Sequence, residues 1–230
     1  MRNVKKKPFY EAVKRIFDFL LALVGTVVLS PCLLLIAIAI VAEDKGSVFY
    51  KANRVGRYGK PIKVYKFRSM KTGADRLEDM LTPEELEEYK KNFKLERDPR
   101  ITKVGSFMRR TSLDELPQLL NIIKGDMSFV GPRPELLLYT NAYTEEQQCI
   151  MWVRPGITDR SSIVYIAQDE IVGTENPVEN YEKYVLPEKN RLRVEYARNQ
   201  SFKLDMQLFF ETIGGVFGKA KKMAAEKGKK

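Results

Sequence analysis

Residues 16–42 read IFDFLLALVGTVVLSPCLLLIAIAIVA, an apolar run in which Asp18 is the only charge and Ser30-Pro31 falls near the middle. A spanning helix needs ~20 apolar residues, so the run is long enough to enter a bilayer. A cleavable secretory leader has a shorter apolar core and a small-residue cleavage site. Here Glu43 and Asp44 follow instead, and the run is expected to be retained. Its flanks are matched: Lys5, Lys6, Lys7, Lys14 and Arg15 precede it, and Lys45, Lys51, Arg54, Arg57 and Lys60 follow it. Basic flanks favour the cytoplasm. One topology is a Pro-kinked spanning helix with the rest of the chain outside. The other is a helix bent back at Ser30-Pro31, because Pro31 lacks a backbone donor and clashes with the preceding turn, while the Ser30 hydroxyl can satisfy part of the freed backbone. At ~1.5 Å per residue, segments 16–30 and 32–42 reach only ~22 and ~16 Å, short of the ~30 Å hydrocarbon core. Neither arm crosses alone, and a re-entrant helix with both ends in the cytoplasm is the expectation.

The chemistry available to the rest of the chain is narrow. No histidine occurs among its 230 residues, which removes imidazole bases, His-based triads and His metal ligands. Cys32 and Cys149 are the only cysteines, and Cys32 lies inside the apolar run, so neither a disulfide framework nor a Cys-based zinc site is indicated. Carboxylates, Lys and Arg must carry any reaction. A net charge of +10 draws anions, whether nucleic acid, lipid head groups or phosphorylated substrates.

Beyond the run, SVFYKANRVGRYGKPIKVYKF places β-branched and aromatic residues on both sides of a turn at Gly56 to Gly59, which predicts a short hairpin. Alternation over residues 62–68 then puts Lys66 and Arg68 on one face. In TPEELEEYKKNFK, Thr82 is an N-cap, Pro83 the first helical residue, and Glu85 completes a capping box. Ile101, Val104, Phe107 and Met108 have helical spacing, as do Leu116, Leu119, Leu120 and Ile123, and both faces should be buried. Thr144 with Gln147 offers another helix start, Pro155-Gly156 a turn, and Pro187 the first position of a helix through Arg198. The tail from Leu204 joins apolar residues to Lys219, Lys221, Lys222, Lys229 and Lys230. It suits either an anionic membrane surface or a terminal helix packed on the domain. There is no Walker loop and no GxGxxG.

Residues 98–135, DPRITKVGSFMRRTSLDELPQLLNIIKGDMSFVGPRPE, hold polar side chains where packing does not ask for them. Asp114 and Glu115 are adjacent, with Arg109, Arg110 and Arg133 nearby in the motif. A carboxylate of ordinary pKa is ionised at neutral pH, so Asp114 can serve directly as a nucleophile. A neighbouring carboxylate can hold Mg2+, which takes hard oxygen ligands from one or two carboxylates plus substrate phosphates. The plainer alternative is that Ser112 and Glu115 form a capping box. It would put Pro117 at the fifth helical position, where a missing donor starts to matter. A start nearer Asp114 brings Pro117 into the tolerated first turn and sets a helix N-terminus beside the carboxylate, where it would help collect phosphate. Arg133 sits between two prolines, stiff enough for bidentate phosphate contact. An exposed turn arginine is the alternative.

The motifs KRIFDFLLAL, Ser30-Pro31, RVGRYGKPIKVYKFRSM, DPRITKVGSFMRRTSLDELPQL, GDMSFVGPRPE and RPGIT together resemble the bacterial sugar transferase family, the monotopic phosphoglycosyl transferases, over most of residues 14–160. The resemblance implies a re-entrant membrane helix, Asp114 as covalent nucleophile, Glu115 as Mg2+ ligand, phosphate-binding roles for Arg109 and Arg133, and a site role for Lys66. It further implies that Asp114 attacks the sugar-bearing phosphate of a UDP-sugar with release of UMP, and that polyprenyl (undecaprenyl) phosphate then takes the phospho-sugar, initiating glycan biosynthesis. The chain begins at the membrane segment, as a small member of the family would. After RPGIT it reads DRSSIVY, where many relatives have glycine followed by a Gln-Val pair. An N-acetylated amino sugar is the expected cargo, with a hexose as the alternative.

The expected architecture is α+β and mostly helical. Residues 1–43 form a basic N-terminus and re-entrant helix, 44–203 a cytosolic catalytic domain with a short β-hairpin and amphipathic interfacial helices, and 204–230 an amphipathic basic tail. The expected location is the cytoplasmic face of the bacterial inner membrane. A non-catalytic membrane organiser of glycan assembly is the competing function, and it predicts no UMP release. Nucleic acid is not an expected partner, since the positive charge is not gathered with stacking aromatics on one module. No residue pattern specifies an oligomeric state.

Overall fold

The computed structural model describes residues 7–173 and 175–227. Asn3, Lys5, Lys6, Lys229 and Lys230 lie outside the described residues, as do the side chains of Lys219, Lys221 and Lys222. The apolar run belongs to α1 (Pro8–Glu43), and the expected break is a proline inside one continuous helix. The reason is local. Pro31 cannot donate to the carbonyl of Val27, and the Ser30 hydroxyl donates to that same carbonyl at 2.7 Å. Most of the helix's apolar side chains are exposed, among them Val24, Val27, Val28, Leu34 and Leu35.

Both ends of α1 are tied to the same body. Near the start, Lys7 donates to the carbonyl of Gln200, Tyr10 and Lys14 donate to Asp205, and Arg15 donates to the carbonyls of Ile122 and Ile123. Asp18, buried despite its charge, accepts from the Phe129 amide. At the far end the Glu43 carboxylate accepts from the amides of Lys103 and Val104, and Asp44 pairs with Arg68.

The predicted hairpin forms as β1 (Phe49–Val55) and β2 (Pro61–Phe67), antiparallel with Phe49 opposite Phe67 and Val55 opposite Pro61. Tyr58 and Gly59 make the turn with positive φ. After the short α2 (Leu77–Met80), α3 (Pro83–Asn92) starts at the Thr82–Glu85 capping box, with both reciprocal bonds formed. Next come α4 (Lys103–Thr111) and α5 (Gln118–Lys124). Buried Asn121 fastens α5 to the free edge of β2, its Oδ1 accepting from Tyr65 N and its Nδ2 donating to Lys63 O. The side-chain amide thereby occupies an otherwise open strand edge. Ala22 of α1 packs with Val64, Leu119, Ile122 and Met127. Ile40 packs with Phe67 and Met108.

The remainder departs further from expectation. Gly156, expected in a turn, opens β4 (Gly156–Thr158), which pairs in parallel with β3 (Ser128–Val130). A Cβ on Gly156 would sit 2.2 Å from the Gly131 nitrogen. Two glycines are needed here because the backbones nearly touch. Around this pair lie α6 (Leu137–Asn141), α7 (Arg160–Val164), α8 (Gln168–Val172), α9 (Pro177–Asn180) and α10 (Leu186–Asn199). The tail helix, α11 (Phe202–Lys227), starts before Leu204. Its first turns pack on the domain, with Asp205 and Leu208 buried, while Met206, Phe210 and Ile213 are exposed. Phe107 on α4 and Leu120 on α5 are exposed rather than buried. Met108 and Ile122 take the innermost positions on those helices.

Candidate active site

The acidic pair is presented by a reversal between two helices. α4 ends at Ser112, whose φ of 59° places it in the left-handed region. A single 3-10 turn, Leu113–Glu115, follows, and Pro117 leads into α5. Leu113 and Leu116 pack on the cluster around Ile40 and Met108, which pins the turn between them. Ser112 makes no capping bond, so the capping-box alternative does not hold. The phosphate-collecting helix start is not formed at Asp114 either, since α5 begins at Gln118 and is only seven residues long.

The two neighbouring carboxylates are treated very differently. Glu115 takes Arg133 in a bidentate pair, with Arg133 Nη2 to Oε1 at 2.6 Å and Nη1 to Oε2 at 3.1 Å. Lys66 Nζ adds a contact to Oε1 at 2.9 Å. Burial alone would raise the Glu115 pKa, but the Arg133 and Lys66 charges and hydrogen bonds hold it at about 2. The Asp114 carboxyl, also buried, has Lys66 Nζ at 3.7 Å. Desolvation, helped by the Glu115 charge and opposed by Lys66 and Arg109, pushes its pKa above the usual value. A more basic carboxylate is a better nucleophile and one tied by two cations a worse one, so the two neighbours differ in what chemistry they could support.

Lys66 reaches the pair because β2 alternation turns it toward the 3-10 turn, whereas Arg68, past the strand end, goes to Asp44 and Thr72. Arg133 is held between Pro132 and Pro134, and its Nη1 also donates to the Ile157 carbonyl at 2.7 Å. Arg109 is exposed, and its Nε donates to Ser69 Oγ at 2.9 Å. It acts on Asp114 through its charge rather than by a hydrogen bond. The structure thus gathers Asp114, Glu115, Lys66 and Arg133 directly and leaves Arg109 at the margin. No cluster of three or more Asp, Glu, His or Cys side chains able to hold a metal occurs among the described residues.

A cleft of about 1040 Å3 opens beside Glu115 and Arg133. Its other walls are α1 at Leu21 and Leu29, the link after α7 at Ile166, and α11 at Phe209 and Gly215.

The bacterial sugar transferase family model matches residues 9–219. The chain belongs to that family. Among curated relatives, an exopolysaccharide production protein, ExoY, of Rhizobium meliloti is 37% identical over 91% of this sugar transferase and 88% of its own length. A UDP-glucose:undecaprenyl-phosphate glucose-1-phosphate transferase of Escherichia coli is 36% identical over 93% of this chain, which spans 44% of that protein. A UDP-N-acetylgalactosamine-undecaprenyl-phosphate N-acetylgalactosaminephosphotransferase of Aeromonas hydrophila is 32% identical over 90% of this chain and 44% of its own length. An uncharacterised sugar transferase of Haemophilus influenzae is matched over only 34% of its length.

Sequence reasoning missed the layer that supports Arg133 in this sugar transferase. Asp159, fully buried, accepts from the Arg133 amide at 3.3 Å, from the Ser162 amide and from the Ser161 and Ser162 hydroxyls, and it pairs with Arg193. Arg193 in turn pairs with Glu135 at 2.7 Å. Burial would raise the Asp159 pKa, yet Arg193 and the serines hold it low. The available signal was Asp159 followed three residues later by Ser162, an N-cap pattern at the start of α7. Nothing comparable marks Arg193, which reads as an ordinary charge on a polar helix.

Proposed function

We propose that this chain is a phosphoglycosyl transferase that moves a sugar-1-phosphate from a UDP-sugar to undecaprenyl phosphate at the cytoplasmic face of the bacterial inner membrane. The observation that carries the proposal is the unequal pair: Glu115 neutralised by Arg133 and Lys66, and Asp114 beside it buried, raised in pKa, and with its Oδ2 3.7 Å from Lys66 Nζ. In the first step an Asp114 oxygen bonds to the sugar-bearing phosphorus, the bond to the bridging oxygen breaks, and UMP leaves with that electron pair. In the second, a phosphate oxygen of the lipid attacks the same phosphorus and Asp114 departs as carboxylate. Lys66 and Arg109 place positive charge where two anions must meet. Mg2+ takes one or two carboxylates completed by substrate phosphates: Glu115 would hold the ion, which when bound supplies charge neutralisation of the diphosphate.

The re-entrant topology is part of the same reading. Successive stretches of α1 pack on the domain, Ala22 in one cluster and Ile40 in the next. Lys7 and Glu43 are both bonded to that same domain. Both ends of the helix being held by one body supports a helix that dips into one leaflet and returns. Relatives named for glucose, galactose and N-acetylgalactosamine transfer support a hexose and an N-acetylated amino sugar equally.

Purified protein given a panel of UDP-sugars without acceptor should gain one phospho-sugar mass in intact-protein spectrometry with the cognate donor, and Asp114→Asn should not. Labelling that persists in Asp114→Asn would remove Asp114 as nucleophile. No UMP from any UDP-sugar, with or without undecaprenyl phosphate, would favour the non-catalytic organiser.

A further inference from the structure

The cleft beside the acidic pair has an unusual distribution of chemistry. Glu115 and Arg133 lie on its wall, whereas α1, α7 with the link after it, and α11 line it with Leu21, Leu29, Ile163, Ile166 and Phe209. Leu21 is also 45% exposed and continuous with the bare apolar face of α1, so the cleft is joined to the surface that faces hydrocarbon. Its volume of about 1040 Å3 is at the upper end for small-molecule pockets, roughly 300–1,000 Å3. An amphiphile with an anionic head beside the catalytic cations and a hydrocarbon tail extending to the membrane surface matches both parts. α11 makes the wall that α1 cannot. It is docked by Thr158 to Thr212 at 2.8 Å and by the Asp205 bonds to Tyr10, Lys14 and Tyr196. Gly215 and Gly218 on this helix also line the cleft. A Cβ on Gly215 would lie 3.7 Å from Ile166 Cδ1, and Gly218 has nothing within 4 Å.

We infer that the cleft between α1 and α11 binds the proximal part of the acceptor's polyprenyl tail, with Gly215 keeping it wide enough for a branched hydrocarbon. The inference rests on the proposed reaction for the identity of the lipid. A leucine at position 215 would reach toward Ile166 and narrow the cleft. Because leucine is a better helix former than glycine, loss of function through unfolding of α11 is not expected. Gly214, one residue away, has open space around it and does not line the cleft, so Gly214→Leu is the control on the same helix.

The test uses the full chain in nanodiscs and an undecaprenyl phosphate analogue with a photoreactive group in its proximal isoprenes. Cross-links are expected in peptides carrying Leu21 to Leu29 and Phe209 to Gly218, competed by undecaprenyl phosphate and not by phosphatidylglycerol. Gly215→Leu should lower the cross-linking and raise the KM for undecaprenyl phosphate about tenfold, within the range one misfitting group costs in an apolar pocket. Gly214→Leu, and geranyl phosphate as acceptor with Gly215→Leu, should show little change. Cross-links absent from both peptides, equal competition by phosphatidylglycerol, or an unchanged KM in Gly215→Leu would each overturn the inference. The proposed reaction is judged separately by the phospho-sugar adduct on Asp114, which forms without lipid.

Discussion

Glu115→Gln tests the electrostatic arrangement most directly. The Glu115 carboxyl falls from an ordinary 4.5 to about 2 in the folded protein, and at about 1.4 kcal/mol per unit the depression corresponds to roughly 3 kcal/mol. Because the folded pKa is depressed, this stability is fully present above pH ~4.5 and is lost as pH falls toward ~2. Glutamine keeps the shape and removes the charge, leaving Arg133 and Lys66 beside a neutral amide. At neutral pH the variant should therefore be less stable by about 3 kcal/mol, since removing one partner of a buried pair strands the other. The difference from wild type should shrink as pH is lowered from about 4.5 to about 2. Asp114 should respond as well: with the Glu115 charge gone and the two cations released, its pKa falls and the acid limb of kcat/KM moves to lower pH. Urea unfolding in one detergent across this pH range, followed by tryptophan fluorescence, gives the first quantity, and adduct formation against pH the second. A stability difference independent of pH, or an acid limb moved upward, would refute the assignment of the depressed pKa to Glu115.

Arg133→Lys should lose most activity, because an ammonium cannot make the paired contacts to both Glu115 oxygens and also reach the Ile157 carbonyl; wild-type adduct rates would remove Arg133 from the site. Gly156→Ala puts a methyl group 2.2 Å from the Gly131 nitrogen and should destabilise the fold by about 1–3 kcal/mol through forced backbone shifts, read as a lower urea midpoint. For topology, cysteines placed at positions 3 and 44, with Cys32 and Cys149 replaced, should both resist a membrane-impermeant thiol reagent in intact cells. Labelling of one end alone would establish a spanning helix. Replacing Ser30 and Pro31 with Ala and Leu should promote that spanning form, since the breaker is removed and the apolar length suffices.

What could be read from the chain beforehand was mostly local. The Thr82–Glu85 box and the hairpin around Gly59 follow from periodicity and turn chemistry acting within a few residues, and they appear as expected. Pairing across long separations was not legible. β3 and β4 are three-residue strands whose backbone bonds form where Gly131 and Gly156 let the two segments approach closely. The exposed Phe107 and Leu120 are a different case, because spacing identifies an apolar face without saying whether protein or lipid covers it. At the acidic pair the residues themselves were readable from their motif. Their division of labour was not, since it depends on Arg133 arriving from 18 residues away to engage one carboxylate.

The bonds from Tyr10 and Lys14 to Asp205 bear on how the protein is made. Tyr10 and Asp205 are 195 positions apart. At roughly 5–20 residues per second, synthesis takes about 10–40 s to cover that distance. During that interval α1 has already emerged, and Asp18 waits for the Phe129 amide 111 positions on. The first turns of α1 are thus fastened last, after its far end has met Arg68, Lys103 and Val104 and its middle Phe129. A ribosome stalled before residue 205 should leave Tyr10 and Lys14 without their carboxylate partner, with Tyr10 open to modification in a way that it is not in the finished protein.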